Sequence, residues 1–302
     1  MTFIKWFIVA LFLGSAAYVH FRGKVRTSFW RQIINHATLL APLNCFMYLF
    51  SKVPDSPYLD NNAFPEMKLL DDNWQVIRTE ALALAELERI RAAEHNNDAG
   101  FNSFFKEGWK RFYLKWYEAR HPSAQELCPQ TVALLARIPQ VKAAMFASLP
   151  PGGKLNPHRD PYAGSLRYHL GLVTPNDERC YIDVDGQRYA WHDGQSVIFD
   201  ETYIHHVKND TDQGRIILFC DIERPLRTRW AAAVNRWFSR HVMTAASSPN
   251  DGKDQTGFIN RLFYIPWVVG QYRRRFKAWS PVGYKVTKVV LIVAVVALVV
   301  FS

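Results

Sequence analysis

Cysteine is scarce in this 302-residue chain, and Cys45, Cys128, Cys180 and Cys220 stand far apart with no C-x-x-C pair. That excludes a zinc finger, an iron–sulfur cluster and a small disulfide scaffold, and it suits a reduced, cytosol-facing protein. Glycine (15) and proline (16) are too few for a collagen-like or low-complexity chain. Acidic residues are also in deficit: 27 Asp and Glu face 37 Lys and Arg, a net charge of +10. Such a balance calls for an acidic partner, whether anionic lipid, nucleic acid or a phosphorylated substrate. What is plentiful is apolar: 49% hydrophobic and 14% aromatic residues exclude a disordered chain.

The two ends differ from the middle. Trp6–Phe21 is almost wholly apolar. As a helix it extends about 24 Å, and Lys5 and Arg22 can snorkel to the headgroups. A spanning anchor is therefore expected over residues 1–26, with a cleaved signal peptide (Ser15-Ala16-Ala17 as its small-residue site) the alternative. Val289–Phe301 is a second uninterrupted apolar run, and a second span is expected over residues 286–302. Arg22, Lys24, Arg26 and Arg31 follow the first run, while Arg273, Arg274, Arg275, Lys277, Lys285 and Lys288 precede the second. Both basic flanks face the middle, so the positive-inside rule puts the middle in the cytoplasm, against an anionic membrane rather than nucleic acid.

Residues 27–141 read as an interfacial and helical region. Helices are expected over Leu69–Ala93 and Gln130–Ile138. Lys106, Lys110, Arg111 and Lys115 read as a solvated face, with contact to lipid phosphates the alternative. From Lys142 to Arg224 the period changes to 2, with short runs such as SLRYHLGLV, SVIFD and RIILFCDI between turns. Val184-Asp185-Gly186-Gln187 marks a hairpin. The expected fold is α+β: a double-stranded β-helix, jelly-roll or cupin-like, over residues 142–225, with flanking helices and transmembrane helices at both ends. Residues 226–285 form a basic amphipathic segment. On a wheel of Leu226–Val242, Leu226, Trp230, Ala233, Val234 and Trp237 share a face beside Arg229, Arg236 and Arg240. That suits an anionic interface, or packing on the barrel with a solvated basic face. Ala245–Gly257 reads as a flexible linker, and Phe258–Tyr272 as a re-entrant or interfacial segment.

The chemistry lies in the β-rich middle. His158 and Asp160 are two apart and on a strand would project from one face. With His205 from a later strand they can supply two imidazoles and a carboxylate to one face of an octahedron, the ligand set of non-haem Fe(II) oxygenases. His206 would point the opposite way. Arg215 opens an apolar strand with no acidic residue placed for it, and the distal carboxylate of 2-oxoglutarate would satisfy it. Arg167 and His169 form a second polar pair on one strand face, suited to the other end of the same keto acid or to a substrate anion. Asp200 and Asp221 read as turn or hydrogen-bond residues, and Trp191 and Phe199 as core.

These motifs carry a resemblance. H-x-D-P at His158–Pro161, R-x-H-L-G at Arg167–Gly171, W-x-D-G at Trp191–Gly194, F-D-E-T-x-x-H at Phe199–His205 and R-I-I-L-F-C-D at Arg215–Asp221 together resemble the aspartyl/asparaginyl β-hydroxylase family of 2-oxoglutarate oxygenases. The resemblance implies iron held by His158, Asp160 and His205. It also implies 2-oxoglutarate held by Arg215 at its distal carboxylate and by Arg167 with His169 at its proximal end, and turnover with O2. Phe105–Ala124 and His158–Leu172 are similar to the membrane-bound bacterial branch that hydroxylates carbon 2 of a secondary acyl chain of lipid A. That implies a phosphorylated glycolipid substrate at the bacterial inner membrane. Two departures from the protein-acting branch stand out. It has glycine where this chain has Asp160, and its oxoglutarate-side serine corresponds to Ala147, with Ser148 adjacent. Three rivals remain: another lipid such as an ornithine lipid, an Asp or Asn of a protein, and a cupin-like binding module without turnover.

Overall fold

The computed structural model describes residues 2–28, 36–93, 98, 100–284, 286–288 and 290. Two antiparallel sheets face one another. The larger runs β1 (Tyr58–Leu59), β8 (Ser196–Phe199), β5 (Ser165–Val173), β10 (Arg215–Glu223), β3 (Val141–Leu149), β2 (Lys110–Trp116). The smaller runs β4 (Lys154–His158), β9 (His205–Asn209), β6 (Cys180–Val184), β7 (Gln187–Ala190). This is the expected jelly-roll sandwich, but the sheet reaches beyond residues 142–225. Strands β1 and β2 come from the region expected to be interfacial and helical.

Both faces of the large sheet are covered, which explains why β5 and β10 are buried almost throughout. On the inner face, Met145, Ala147, Ile217 and Phe219 meet Leu155, Ile182, Val184 and Val207 of the small sheet. On the outer face, Phe146, Tyr168, Leu170 and Leu218 pack against two helices, residues Trp74–Glu86 and Pro129–Ala136. The first of these presents Ile77, Ala81 and Leu84 at i, i+4 and i+7, one stripe of a helix. The expected single helix over Leu69–Ala93 is broken: a short turn at Lys68–Asp71 precedes it, and it ends before Glu88, whose φ is +52°. The β6–β7 hairpin has Asp185 and Gly186 at φ +54° and +83°, the positive pair that a two-residue turn matching strand twist requires.

Four longer helices lie outside the sandwich and are labelled α1 (Thr2–Phe21), α2 (Ala41–Leu49), α3 (Arg229–Phe238) and α4 (Phe258–Trp279). Within α1, Ile4–Phe21 is long and apolar enough to cross a membrane, and it is the one such helix among the described residues. Only 11% of that stretch is buried, unlike the core helix of a soluble domain. Its exit is tied down. Arg22 Nη2 reaches Asp200 Oδ2 at 2.8 Å, and the Lys24 and Val25 amides donate to Asp185 Oδ1 at 2.6 and 2.8 Å. The second expected span lies outside the described residues apart from 286–288 and 290.

The expected linker at 245–257 is packed instead. Ser247 and Ser248 are fully buried. The Asn250 side chain bonds the main chain of Tyr113 in both directions, and Asp254 accepts from Ser123 Oγ at 2.6 Å. Arg111 leaves the expected solvated face for the same interior, where its Nε donates to Asp98 at 3.0 Å.

Candidate active site

Strands β4 and β9 pair with His158 opposite His205, and the ring centroids are 4.3 Å apart. Each Nδ1 faces a main-chain carbonyl: Asn156 O at 2.7 Å and Tyr203 O at 3.0 Å. A carbonyl can only accept, so the proton sits on Nδ1 and each Nε2 presents its lone pair, the orientation that metal-binding histidines adopt. Burial lowers the pKa of both rings, and for His205, with His158 adding to the effect, takes it to about 3. His206 is half-buried and stacks edge-on against Tyr181, on the other side of the strand.

Asp160 lies two residues past the end of β4, on a turn rather than on the strand. Its amide donates to Glu201 O at 2.9 Å. Its Oδ1 is 3.8 Å from His158 Nε2, and its Oδ2 accepts from Arg167 Nη2 at 2.7 Å. Burial works against its charge, but Arg167, His205 and His158 together outweigh burial and hold the carboxyl below its usual range. Ligand atoms of His158, Asp160 and His205 lie within 4.8 Å of one another. Two neutral imidazoles and one ionised carboxylate, each fixed by a hydrogen bond on its far side, fit a divalent iron.

Arg167 was expected at the proximal end of the keto acid. Its guanidinium is instead surrounded by this chain's own carboxylates: Asp160, Glu201, and Asp221 at 2.8 Å from Nε. It also lies 3.7 Å above the Phe219 ring. Burial raises Glu201 well above the usual carboxylate range and Asp221 also upward, against the pull of Arg167. The register explains the grouping, because Arg167 on β5 sits opposite Asp221 on β10 and Phe199 on β8.

Arg215 contrasts with Arg167. It is fully buried, and its Nε and Nη1 have no hydrogen-bond partner among the described residues. Its guanidinium lies 4.1 Å above the Trp191 ring. Burial pulls its pKa down to about 10, with only Cys180 opposing. His169 shares the cavity, with both ring nitrogens unpartnered. Burial and the cations Arg167 and Arg215 keep it neutral. An imidazole and a guanidinium with free donors, beside a metal-ligand set, fit a keto acid whose two ends are both anionic. The cavity is narrow, about 30 Å³, so a keto acid enters only if the lining gives way. The half-buried Phe104 is part of that lining, 4.8 Å from the His158 ring.

The structure thus brings His158, Asp160, His205, Arg215, Arg167 and His169 to one cavity. Two neighbours of the site were missed. Glu201 was visible inside F-D-E-T but has no spacing to mark it, and Phe104 lies 54 positions before His158, whereas Trp191 is core as expected. Gly171 of R-x-H-L-G has a steric reason, since a Cβ there would strike the carbonyl of His192.

The sequence is similar to those of known proteins. The chain is 33% identical over 187 residues to an ornithine lipid ester-linked acyl 2-hydroxylase of Rhizobium tropici, covering 59% of this chain and 64% of that protein. It is 30% identical over 164 residues to human aspartyl/asparaginyl beta-hydroxylase, covering 53% of this chain and 21% of that one. The match therefore spans less than two thirds of either relative. A prolyl-4-hydroxylase structure from Pseudomonas putida overlays 51% of this chain and 87% of its own at 18% identity, with a TM-score of 0.36, too slight a likeness to carry weight. The family described as aspartyl/asparaginyl beta-hydroxylase matches residues 71–225, just over half of the chain and the whole of the site, and this protein belongs to that family.

Proposed function

We propose that this protein is an Fe(II)/2-oxoglutarate-dependent dioxygenase that hydroxylates carbon 2 of an acyl chain of a membrane lipid, with lipid A as its substrate at the inner membrane. The supporting observation is Arg215: a fully buried cation with free donors, in the same cavity as His158, Asp160 and His205. A buried guanidinium without an anion is strongly unfavourable, so the site is built for one that arrives.

When bound, the iron with 2-oxoglutarate and O2 supplies the oxidising power for C–H hydroxylation. The chain's own residues do the rest. His158 and His205 offer Nε2 atoms whose direction is set by the carbonyls behind their Nδ1 protons. Arg167 turns one oxygen of Asp160 away from the metal position and keeps the carboxyl ionised. Arg215 would hold the distal carboxylate of the keto acid, and His169 would hold its proximal end. Phe199 and Phe219 line the cavity with Trp191 under Arg215, an apolar wall that strengthens every charge interaction within it.

A second reading, an ornithine lipid as acceptor, is favoured by the Rhizobium tropici relative. Mass spectrometry of lipids from a bacterium expressing this chain separates the two. One added oxygen on a lipid A acyl chain, absent with His205→Ala, supports the first reading. The same gain on an ornithine lipid supports the second, and no oxygen gained by any lipid refutes both.

A further inference from the structure

Helix α3 is turned inside out for a helix of a water-soluble domain. Its buried edge is small and polar, Ala231 and Asn235, while Trp230, Val234 and Trp237 are exposed, Trp237 by 61%. The apolar face read from the sequence is therefore the outward one. This setting is fixed by specific contacts. Asn235 Nδ2 donates to Gly164 O at 2.9 Å, the Tyr162 hydroxyl donates to Asn235 Oδ1, and the Tyr162 ring stacks on Phe238. A Cβ on Gly164 would strike Asn235 and Tyr162, so the helix rests directly on the loop that follows Asp160.

Two further observations say what covers the outward face. Arg229, Arg236 and Arg240 are exposed beside the tryptophans, with Glu223 3.7 Å from Arg236. The face is also continuous with α1 by way of α2. Phe46 and Phe50 of α2 meet the Trp230 ring at 5.3 and 4.7 Å. Ala41, Cys45 and Tyr48 of the same helix meet Ala16 and Val19 of α1. Helix α3 thus lies beside the C-terminal half of the apolar helix, at the level where a span reaches the headgroups. Leu39 and Leu49, just before and at the end of α2, are exposed as well. Tryptophan flanked by arginine at that level is the composition of a helix lying in an anionic interface.

We propose that α3 beds Trp230, Val234 and Trp237 in the headgroup layer of an anionic bilayer and so holds the Asp160 loop at the membrane surface. The inference is independent of which lipid is hydroxylated, and of whether any is.

The test uses the full-length protein in phosphatidylglycerol nanodiscs, with plain or acyl-brominated lipid, and compares it with the Trp230→Phe/Trp237→Phe variant. The emission lost in the variant reports the two tryptophans. It is expected to be largely quenched by brominated lipid and shielded from iodide in the water. Emission reached by iodide and untouched by brominated lipid would overturn the proposal, whether the face is then bare or covered by a protein. Hydrogen exchange of the unaltered protein gives a second arm. Residues 229–243 should exchange more slowly in phosphatidylglycerol than in phosphatidylcholine discs, and equal rates would equally count against it.

Discussion

The guanidinium of Arg215 lies 4.1 Å above the ring of Trp191, fully buried and with two of its nitrogens unpartnered. Among the described residues no carboxylate meets it. The ring supplies some compensation, since a cation over an indole is stabilised by about 0.5–2 kcal/mol. The remainder awaits an anion.

It follows that Arg215→Met leaves thermal stability unchanged or raised in the absence of keto acid, because an unpaired buried charge opposes folding. The same variant loses the stabilisation that 2-oxoglutarate gives the wild type. Its KM for 2-oxoglutarate rises by roughly 30-fold or more, from the about 2–5 kcal/mol attached to a buried charge pair. Differential scanning fluorimetry with and without the keto acid checks both halves.

Arg167 acts through Asp160. Replacing it with Gln removes the cation that keeps that carboxyl ionised and turned, so Fe(II) affinity should fall by about 10–100-fold, as for other residues that orient a metal ligand. The KM for 2-oxoglutarate, measured at saturating iron, should change little. A large KM change at unchanged iron affinity would return Arg167 to the keto acid.

Asp200 ties the exit of α1 to the sandwich, bonding Arg22 and Arg224, each at 2.8 Å. Burial alone would raise its pKa, but Arg224 and Arg22 outweigh burial and hold it well below the usual carboxylate range. A folded-state value below the unfolded one means the stabilisation is complete above the unfolded pKa, about 4, and is lost as the pH falls below it. Asp200→Asn should lower stability at neutral pH by about 3–5 kcal/mol and flatten the acid limb of the stability profile. Urea unfolding from pH 7 down to pH 3 tests the sign.

Gly171→Ala should destabilise by about 1–3 kcal/mol, since the added carbon meets a carbonyl oxygen rather than a movable side chain. Chemical denaturation of the purified variant measures it.

Much of the site was legible because its residues keep strand spacing. Arg167 with His169, and His205 against His206, fell on the faces that alternation demands. Asp160 reached the site by another route: it stands past the strand end, held by Glu201 and Arg167, so the two-residue spacing led to the right residue for an incomplete reason. The acid partners of Arg167 were not legible, because Glu201 and Asp221 reach it only through sheet register, which no local pattern reveals. The same limit hid Asp98 from Arg111. Residues 245–257 were read as a linker because Asn, Asp and Ser look alike whether water or buried main chain takes their hydrogen bonds. In α3 the wheel separated two faces correctly, but only the contacts of Asn235 say which one points inward.

The most direct test of the account measures succinate and lipid oxygen together, using purified iron-loaded protein, 2-oxoglutarate and a total bacterial lipid extract. The account predicts succinate and hydroxylated lipid in equal amounts, both lost in His205→Ala. Lipid hydroxylated without succinate, or 2-oxoglutarate left untouched by the wild type with iron and lipid present, would contradict it.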